Sequence, residues 1–320
     1  MTPVQNAPNA APVRARLSHH REQVMGTVVT VDVFGEADEV ARKELYVRVA
    51  RARAVLQRAD AVFSTWKEHS PINQLRREEI TVAQAPPEVA AVLEGCATAH
   101  SLSDGWFDPW AMPGGLDPTG YVKGWAAQRA LGALSMPGVT GGIVNAAGDV
   151  VASGCPGPGR PFRVAIVDPS DRRRLACVVE LAGGIATSGT YERGGHLIDP
   201  RTGLPAARAA SASVTGPDLG LADALATALA VAGPAGLDFI EAIEGYEGFV
   251  IGYDGSWQYT ANFPFDTTRS GPAITSEPRP YANIEKPAVT KRLGPVTYPA
   301  AEGAADSTSK KSRASHTGGR

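Results

Sequence analysis

The order in which strands and helices follow one another limits the folds open to this chain of 320 residues. Residues 24–34, VMGTVVTVDVF, have the β-branched content of a strand. Three helices are predicted next. The first has an apolar face that repeats every three or four residues, the second begins at Pro86, and the third spans about 120–134. The face of the first helix is formed by Leu45, Val49, Ala52, Leu56, Ala59 and Phe63.

The second half of the chain contains most of the predicted strands, at residues 142–152, 162–168, 175–181 and 210–215. A helix with the sequence LGLADALATALAVAG follows, and then a hairpin, GFVIGYDGSWQY, which turns at Asp254 and Gly255. Most strands follow one another directly and do not alternate with helices. We therefore expect an α+β fold with mixed, largely antiparallel sheets and packed helices.

Composition excludes several classes of protein. Hydrophobic residues make up 43% of the chain and charged residues 20%, which permits a buried core and excludes a wholly disordered chain. The 31 Lys and Arg against 33 Asp and Glu exclude a globally basic nucleic-acid-binding protein. No stretch approaches the roughly 20 apolar residues of a transmembrane segment. The three cysteines have the spacing of neither a zinc site nor a disulfide framework.

The two ends differ in composition from the middle of the chain. Residues 1–20 contain three prolines and neither an apolar signal core nor a lipoprotein cysteine, so we expect a disordered lead and a cytoplasmic protein. Residues 271–320 hold six prolines and eight Lys or Arg against four Asp or Glu. We interpret this segment as a disordered, solvated tail, with a basic arm for an acidic partner as the alternative. The folded domain is then predicted to span 21–270.

Common nucleotide-binding and hydrolase motifs are absent from the sequence. It has no GxxxxGK[ST], no GxGxxG after a strand, no HExxH and no GxSxG. A different kind of ligand site is predicted in residues 105–128, GWFDPWAMPGGLDPTGYVKGWAAQ. The aromatic rings of this segment offer stacking faces, and Asp108, Asp117 and Lys123 can fix polar edges or phosphates. The competing interpretation is a core-facing loop whose rings fill space.

Two further clusters carry polar side chains in apolar or glycine-rich surroundings. Residues 186–205 combine converging glycines with His196, which is either a functional base or a structural histidine. On the apolar helix, Asp223 and Thr227 stand four residues apart on one face, and their oxygens are of the kind that Mg²⁺ accepts. A helix-surface pair is the alternative, but burying an aspartate without a partner is costly.

In order along the chain, eight short motifs resemble those of the ApbE family, the FAD:protein FMN transferases. They run from about residue 24 to residue 265 and are MGT (25–27), FSTW (63–66), GWFDP (105–109), GLDPTGYVKG (115–124), NAAGD (145–149), ATSGTYER (186–193), HLIDPRTG (196–203) and ADALATAL (222–229). The resemblance implies a T-fold-like architecture with the active site in a crevice between two subdomains.

The resemblance also implies the roles of particular residues. Mg²⁺ would be held by Asp223, Thr227 and the backbone carbonyl of Gly120. Flavin contacts are implied at Met25, Trp66, Trp106, Phe107, Asp108, Asp117, Lys123 and Leu197. The catalytic residues are then expected to be Asp223, Lys123 as a second positive charge, and His196 as the base, because a histidine titrates near neutral pH.

The activity implied is Mg²⁺-dependent transfer of FMN from FAD to a Thr or Ser of a target flavoprotein, which forms a phosphoester and releases AMP. The alternatives are an FAD pyrophosphatase, which yields FMN and AMP, and a non-catalytic flavin-binding protein. Two residues depart from the family pattern: Trp66 stands where a tyrosine is usual, and Gln128 or Arg129 where an aspartate is usual. Family members are often exported, whereas this sequence shows no export signal.

Overall fold

A nine-stranded sheet forms the framework of the computed structural model, which describes residues 15–190 and 197–267 and the main chain of 279–280. The strand order is β1-β2-β3-β4-β7-β10-β11-β12-β13, antiparallel throughout except for the parallel pair β12–β13. The strands of this sheet are β1 (Arg16–Val24), β2 (Thr27–Gly35), β3 (Val139–Ala146), β4 (Asp149–Gly154), β7 (Gly183–Gly189), β10 (Ser211–Gly216), β11 (Glu247–Ile251), β12 (Trp257–Tyr259) and β13 (Arg279–Pro280).

Two small hairpins, six α-helices and one short 3₁₀ helix (Gly233–Gly236) complete the described part of the chain. The hairpins are β5 (Phe162–Val167) with β6 (Leu175–Leu181), and β8 (Ile198–Asp199) with β9 (Leu204–Pro205). The helices are α1 (Glu39–Phe63), α2 (Pro71–Arg76), α3 (Pro87–Leu102), α4 (Thr119–Gly132), α5 (Leu219–Ala232) and α6 (Leu237–Glu241).

The large sheet separates two apolar cores. Successive side chains of a strand point to opposite faces, so neighbouring residues of one strand enter different cores. In β4, Val151 packs with the helices, whereas Val150 and Ala152 pack with β5 and β6 on the other face. In β11, Val250 likewise joins the helical core, and its neighbours join the smaller one. The helices therefore cover one face of the sheet and the β5–β6 hairpin covers part of the other.

Helix α5 lies at the centre of the helical layer. Every residue from Leu219 to Ala232 is buried except Thr227, because a helix that is apolar on all sides apart from Asp223 and Thr227 is stable only inside a protein. Contrary to the expectation from the sequence, the segment Leu219–Glu241 is long and apolar enough to cross a membrane by length and composition, but most of its apolar stretch is buried inside the protein. This is the behaviour of a core helix in a folded domain.

Helices α4 and α5 approach each other closely because glycines face each other at their contact. A Cβ atom on Gly124 would lie 2.2 Å from the carbonyl oxygen of Leu219, and one on Gly220 would lie 3.0 Å from the ring of Tyr121. A side chain at either position would push the helices apart. The absence of Cβ at Gly124 therefore sets the distance between the two helices.

The structure confirms the predicted α+β class and most of the predicted elements, including the turn at Asp254 and Gly255. Two predicted strands are wrong as single elements. Residues 24–34 contain the turn of the β1–β2 hairpin, where Met25 has a φ of 54°, and 142–152 contain the turn between β3 and β4, where Ala147 has a φ of 55°. Strand β7 was not predicted, because Gly183–Gly189 lacks the usual strand composition.

The predicted N-terminal boundary is also wrong. Residues 16–20, assigned to the disordered lead, belong to β1, which pairs with β2 along its length. Residues 1–14 lie outside the described residues, as does the predicted tail 271–320 apart from the main chain of 279–280, which pairs with β12. The crevice between two subdomains stays a prediction.

Strand β1 is joined to α1 through Glu22, whose carboxylate accepts hydrogen bonds from Arg53 Nε at 2.7 Å and Gln57 Nε2 at 2.5 Å. Burial alone would raise the pKa of Glu22, but the hydrogen bonds from Arg53, Gln57 and His20 outweigh it and lower the pKa from 4.5 to about 2. This carboxylate therefore stabilises the folded state in its charged form.

We predict that Glu22→Gln lowers the free energy of unfolding at pH 7 by about 1–2 kcal/mol, since the partly exposed Arg53 leaves the pair open to solvent screening. Because folding depresses this pKa, the contribution is complete above pH 4.5 and is lost as the pH falls towards 2. Urea unfolding at pH 7 and pH 3.5 checks both statements. Glu44→Gln, which breaks the pair with Arg48 on α1, is the control and should cost no more than about 0.5 kcal/mol. A pH-independent difference would contradict this prediction.

We also predict that Gly124→Ala destabilises the protein by about 1–3 kcal/mol, because the added methyl group meets the main chain of α5. Gly132→Ala is the matched control, since it lies on the same helix and a Cβ there meets nothing within 4 Å. It should leave the stability unchanged or raise it by up to about 1 kcal/mol. Thermal and urea unfolding of both variants provide the measurement, and equal effects would contradict the close contact of α4 and α5.

Candidate functional site

Three charged side chains meet where α4, α5 and β4 come together. Lys123 Nζ lies 3.1 Å from both Oδ1 and Oδ2 of Asp223, and it also forms an ion pair with Asp149. Asp149 and Asp223 are buried, while Lys123 is half-buried. We call Lys123, Asp149 and Asp223 the acidic cluster, because its ionised side chains sum to one negative charge.

Main-chain donors hold both carboxylates in place. Gly124 N–H donates to Asp223 Oδ2 at 3.1 Å, and Thr187 N–H donates to Asp149 Oδ1 at 3.1 Å. Burial raises the pKa of the Asp223 carboxyl, and this effect outweighs the attraction and hydrogen bonds of Lys123 and the Gly124 N–H. A buried carboxylate of this kind favours any additional cation that approaches it.

Neutral oxygen atoms border the acidic cluster on α5 and β7. Thr227, one turn after Asp223, has its Oγ1 3.2 Å from Ser188 Oγ. A Cβ on Gly120 would lie 3.6 Å from Thr227 Oγ1 and 3.1 Å from Phe107 Cε2, so this glycine also lines the site. The predicted metal-binding residues Gly120, Asp223 and Thr227 are therefore neighbours in space.

The chemistry of these atoms fits a hard divalent cation. Mg²⁺ prefers carboxylate, hydroxyl and carbonyl oxygens and keeps several of its waters, so it needs few protein ligands. Within residues 15–190 and 197–267, no three His, Cys, Asp or Glu side chains gather as a metal-binding group. A cation at this site would therefore depend on the hydroxyl and carbonyl oxygens as well as on Asp223.

Aromatic side chains of the segment 105–110 lie beside these oxygens. Phe107 is buried against Gly120, and the adjacent Trp106 is half-buried at the edge of the helical core. The guanidinium carbons of Arg201 and Arg208 lie 3.5 Å and 4.8 Å from the centre of the Trp106 ring. Leu197 is buried in the same core. The predicted contacts Trp106, Phe107 and Leu197 thus belong to one region of the structure.

Asp108 and Asp117 organise the loop that precedes α4. Asp108 Oδ1 accepts the N–H groups of Trp110 and Ala111 at 2.9 Å and 3.1 Å, while Asp117 Oδ1 accepts that of Thr119, the first residue of α4, at 3.0 Å. Both side chains stay partly exposed. Each carboxylate therefore shapes the loop with Oδ1, while Oδ2 of Asp117 lies 3.8 Å from Arg76 Nη2 and Oδ2 of Asp108 lies 3.6 Å from His100 Nε2.

Other predicted residues are placed differently. Trp66 is 95% exposed, so its ring does not pack against the aromatic residues of the site. Met25 lies in the β1–β2 turn and packs against the helical core, while His196 lies outside the described residues. Gln128 bridges α4 to the start of α5, accepting from Leu219 N–H and donating to the carbonyl of Pro217. Its side chain therefore has a structural role in helix packing.

Two residues of the site, Asp149 and Ser188, were not predicted from the sequence. Both lie inside motifs already noted, NAAGD and ATSGTYER. They are far from Asp223 along the chain, so no helical or strand periodicity indicates that they lie near it. The pairing of β4 with β7 brings them together: Val150 pairs with Ile185, next to Asp149. The signal available in the sequence was an aspartate directly after the turn glycine Gly148.

Solved structures with similar folds are flavin transferases. The fold matches the flavinyl transferase ApbE of Pseudomonas stutzeri in its apo form with a TM-score of 0.64 and 25% identity, over 76% of this chain and 93% of that one. The flavin transferase ApbE from Vibrio cholerae matches with a TM-score of 0.63 and 22% identity, over 76% and 96% of the two chains. The second likeness concerns the fold alone.

Sequence relatives with the name FAD:protein FMN transferase match part of the chain. The protein from Rhodobacter capsulatus is 42% identical over 127 residues, which are 37% of this chain and 24% of that protein. The protein from Escherichia coli strain K12 is 33% identical over 151 residues, 44% and 43% of the two chains. The matched region thus spans less than half the length of either relative.

The family model gives the broadest match. The model described as the ApbE family matches residues 25–114 and 110–250, which contain Lys123, Asp149, Ser188, Asp223 and Thr227. This range is well over half of the chain and includes the aromatic segment beside the site. The chain therefore belongs to the ApbE family.

Proposed function

We propose that this chain is a Mg²⁺-dependent FAD:protein FMN transferase. The observation that carries the proposal is the acidic cluster, which lies next to Thr227 and Gly120 and close to the aromatic side chains of Phe107 and Trp106. This combination offers hard oxygen ligands for a cation beside apolar surfaces for a flat ring. The names of the relatives from Rhodobacter capsulatus and Escherichia coli support the same activity.

The proposed reaction transfers an FMN group between two oxygen atoms. The hydroxyl oxygen of a Thr or Ser in a target flavoprotein attacks the phosphorus of the FMN half of FAD. A new phosphoester bond forms, the phosphoanhydride bond breaks, and AMP leaves with the bridging oxygen. The hydroxyl proton passes to a base, for which His196 is our candidate because histidine is the side chain that most often serves as a general base.

The side chains of α4 and α5 have distinct parts in this proposal. Asp223, Thr227 and the carbonyl of Gly120 would hold Mg²⁺, which when bound neutralises charge developing on the phosphoryl oxygens. Lys123 adds a fixed positive charge, and its ion pair with Asp149 keeps the Lys123 ammonium group next to Asp223. The proposed flavin contacts are Trp106, Phe107, Leu197, Met25 and Trp66, with Asp108 and Asp117 at the polar edge of the ring.

We predict that Asp223→Asn lowers the transferase rate by about 100-fold or more and leaves FAD affinity within about three-fold, since the cation acts mainly on transition-state charge. Asp218→Asn is the matched control: Asp218 is a buried aspartate directly before α5, and it caps the helix by accepting Leu221 N–H at 2.8 Å. Asparagine caps equally well, so this variant should keep its rate.

A Mg²⁺ titration of these variants separates metal binding from structure. Thr227→Ala should recover at high Mg²⁺, because water can replace a neutral hydroxyl, whereas Asp223→Asn should not recover. Circular dichroism and thermal unfolding confirm that each variant is folded. A near-normal rate for Asp223→Asn would place the metal elsewhere.

We further predict that AMP release from FAD depends on the acceptor protein. Incubation with FAD and Mg²⁺ alone should release AMP at least about 10-fold more slowly than incubation with a flavin-accepting domain, because the acceptor hydroxyl replaces water at the phosphorus. Fluorescence of the acceptor in a denaturing gel and its mass identify the FMN adduct. Fast AMP release without an acceptor would favour a pyrophosphatase, and FAD binding without AMP release would favour a non-catalytic flavin-binding protein.

A further inference from the structure

Two arginines, Arg201 and Arg208, lie against the indole of Trp106, and we call them the basic pair. Arg201 comes from the turn between β8 and β9, and Arg208 precedes β10. Their guanidinium carbons lie 3.5 Å and 4.8 Å from the ring centre, within the range of a cation–π contact. Both residues are exposed. A guanidinium group that lies over an aromatic face keeps its in-plane N–H donors free for a ligand.

The basic pair carries excess positive charge. Asp199, which is buried, accepts the main-chain N–H of Arg201 at 2.9 Å, and its Oδ2 lies 3.6 Å from Arg208 Nη2. Among the described residues, no carboxylate forms an ion pair with the guanidinium of Arg201. Together with Asp199, the pair therefore has a net charge of about +1 at neutral pH.

The basic pair lies near the acidic cluster. Arg208 N–H donates to the carbonyl of Ala230 at 2.9 Å, and Thr227 lies one helical turn, about 5 Å, before Ala230 on α5. From the other side, Trp106 directly precedes Phe107, which contacts Gly120. A ligand in contact with Thr227 therefore needs to extend by only about one helical turn to reach the main chain beside the basic pair.

We propose that Arg201 and Arg208 bind the phosphates of FAD, an inference that rests on the proposed function. Guanidinium groups form paired hydrogen bonds with phosphate oxygens and match their geometry. The charges also balance: the acidic cluster with a divalent cation sums to about +1, the basic pair with Asp199 adds about +1, and a pyrophosphate carries about two negative charges. The stacked arrangement on Trp106 fixes the guanidinium of Arg201 before the ligand arrives.

Binding of three flavins tests this inference without turnover. Riboflavin has no phosphate, FMN has one and FAD has two, so a phosphate contact distinguishes them. The full chain and its Arg201→Gln, Arg208→Gln and Arg201→Lys variants are titrated with each flavin, and flavin fluorescence is followed at low and high salt. Arg173→Gln is the matched control, because Arg173 is an exposed arginine in the turn of another hairpin, β5–β6.

We expect Arg201→Gln to raise the Kd for FAD by about 10-fold and to change the Kd for riboflavin by less than about two-fold. For Arg201→Lys, the Kd for FAD should lie between those of the unchanged protein and Arg201→Gln, because lysine keeps the charge but loses the planar guanidinium fork. The loss of FAD affinity in Arg201→Gln should be smaller at high salt, because salt screens the charges. Arg173→Gln should bind FAD with the same Kd as the unchanged protein.

Several results would overturn the inference. Equal weakening of riboflavin and FAD would mean that the arginines only support the ring of Trp106. Unchanged FAD binding with a raised KM for the acceptor protein would assign the basic pair to acceptor recognition. If the unchanged protein transfers FMN and Arg201→Gln binds FAD equally well, the inference alone fails. If the unchanged protein binds no flavin, the proposed function fails and the inference with it.

Discussion

The arrangement of the site depends on one buried carboxylate, that of Asp223. An ionised group inside an apolar helix is costly unless charges and hydrogen bonds compensate it, and here Lys123 and the Gly124 N–H do so. Both partners come from α4, so that helix must lie within hydrogen-bonding distance of α5. Gly124 permits this approach because it has no Cβ, and the same residue supplies the donor. Helix packing and site geometry are thus set by a single contact.

Charge is distributed unevenly across the site. The acidic cluster sums to one negative charge, whereas the basic pair beside Trp106 presents guanidinium donors. Trp106 and Phe107 add an apolar surface next to them. A ligand that combines a flat ring, phosphates and a bound divalent cation complements all three surfaces, whereas a neutral ring compound complements only one.

Much of this fold follows from sequence patterns, because helical periodicity and apolar runs report burial directly. The apolar face of α1, the existence of helix α5 and the turn at Asp254 and Gly255 are examples. Strand β7 could not be predicted from periodicity or composition, since its glycines and small residues form a strand only because they pair with β4 and β10. Asp149 was missed for a related reason: its partner Lys123 lies on helix α4, and only the packing of α4 against β4 brings the two side chains together.

The location of Asp223 and Thr227 on α5 also determines how far local unfolding of the protein can disturb them. Local fluctuations involve elements with few buried side chains, such as the β8–β9 hairpin, whereas a central helix that is buried along almost its whole length separates from its neighbours only when the whole domain unfolds. The amide protons of α5 should accordingly be among the slowest to exchange with solvent. The oxygens of Asp223 and Thr227 should then keep their relative positions while more exposed parts of the chain fluctuate.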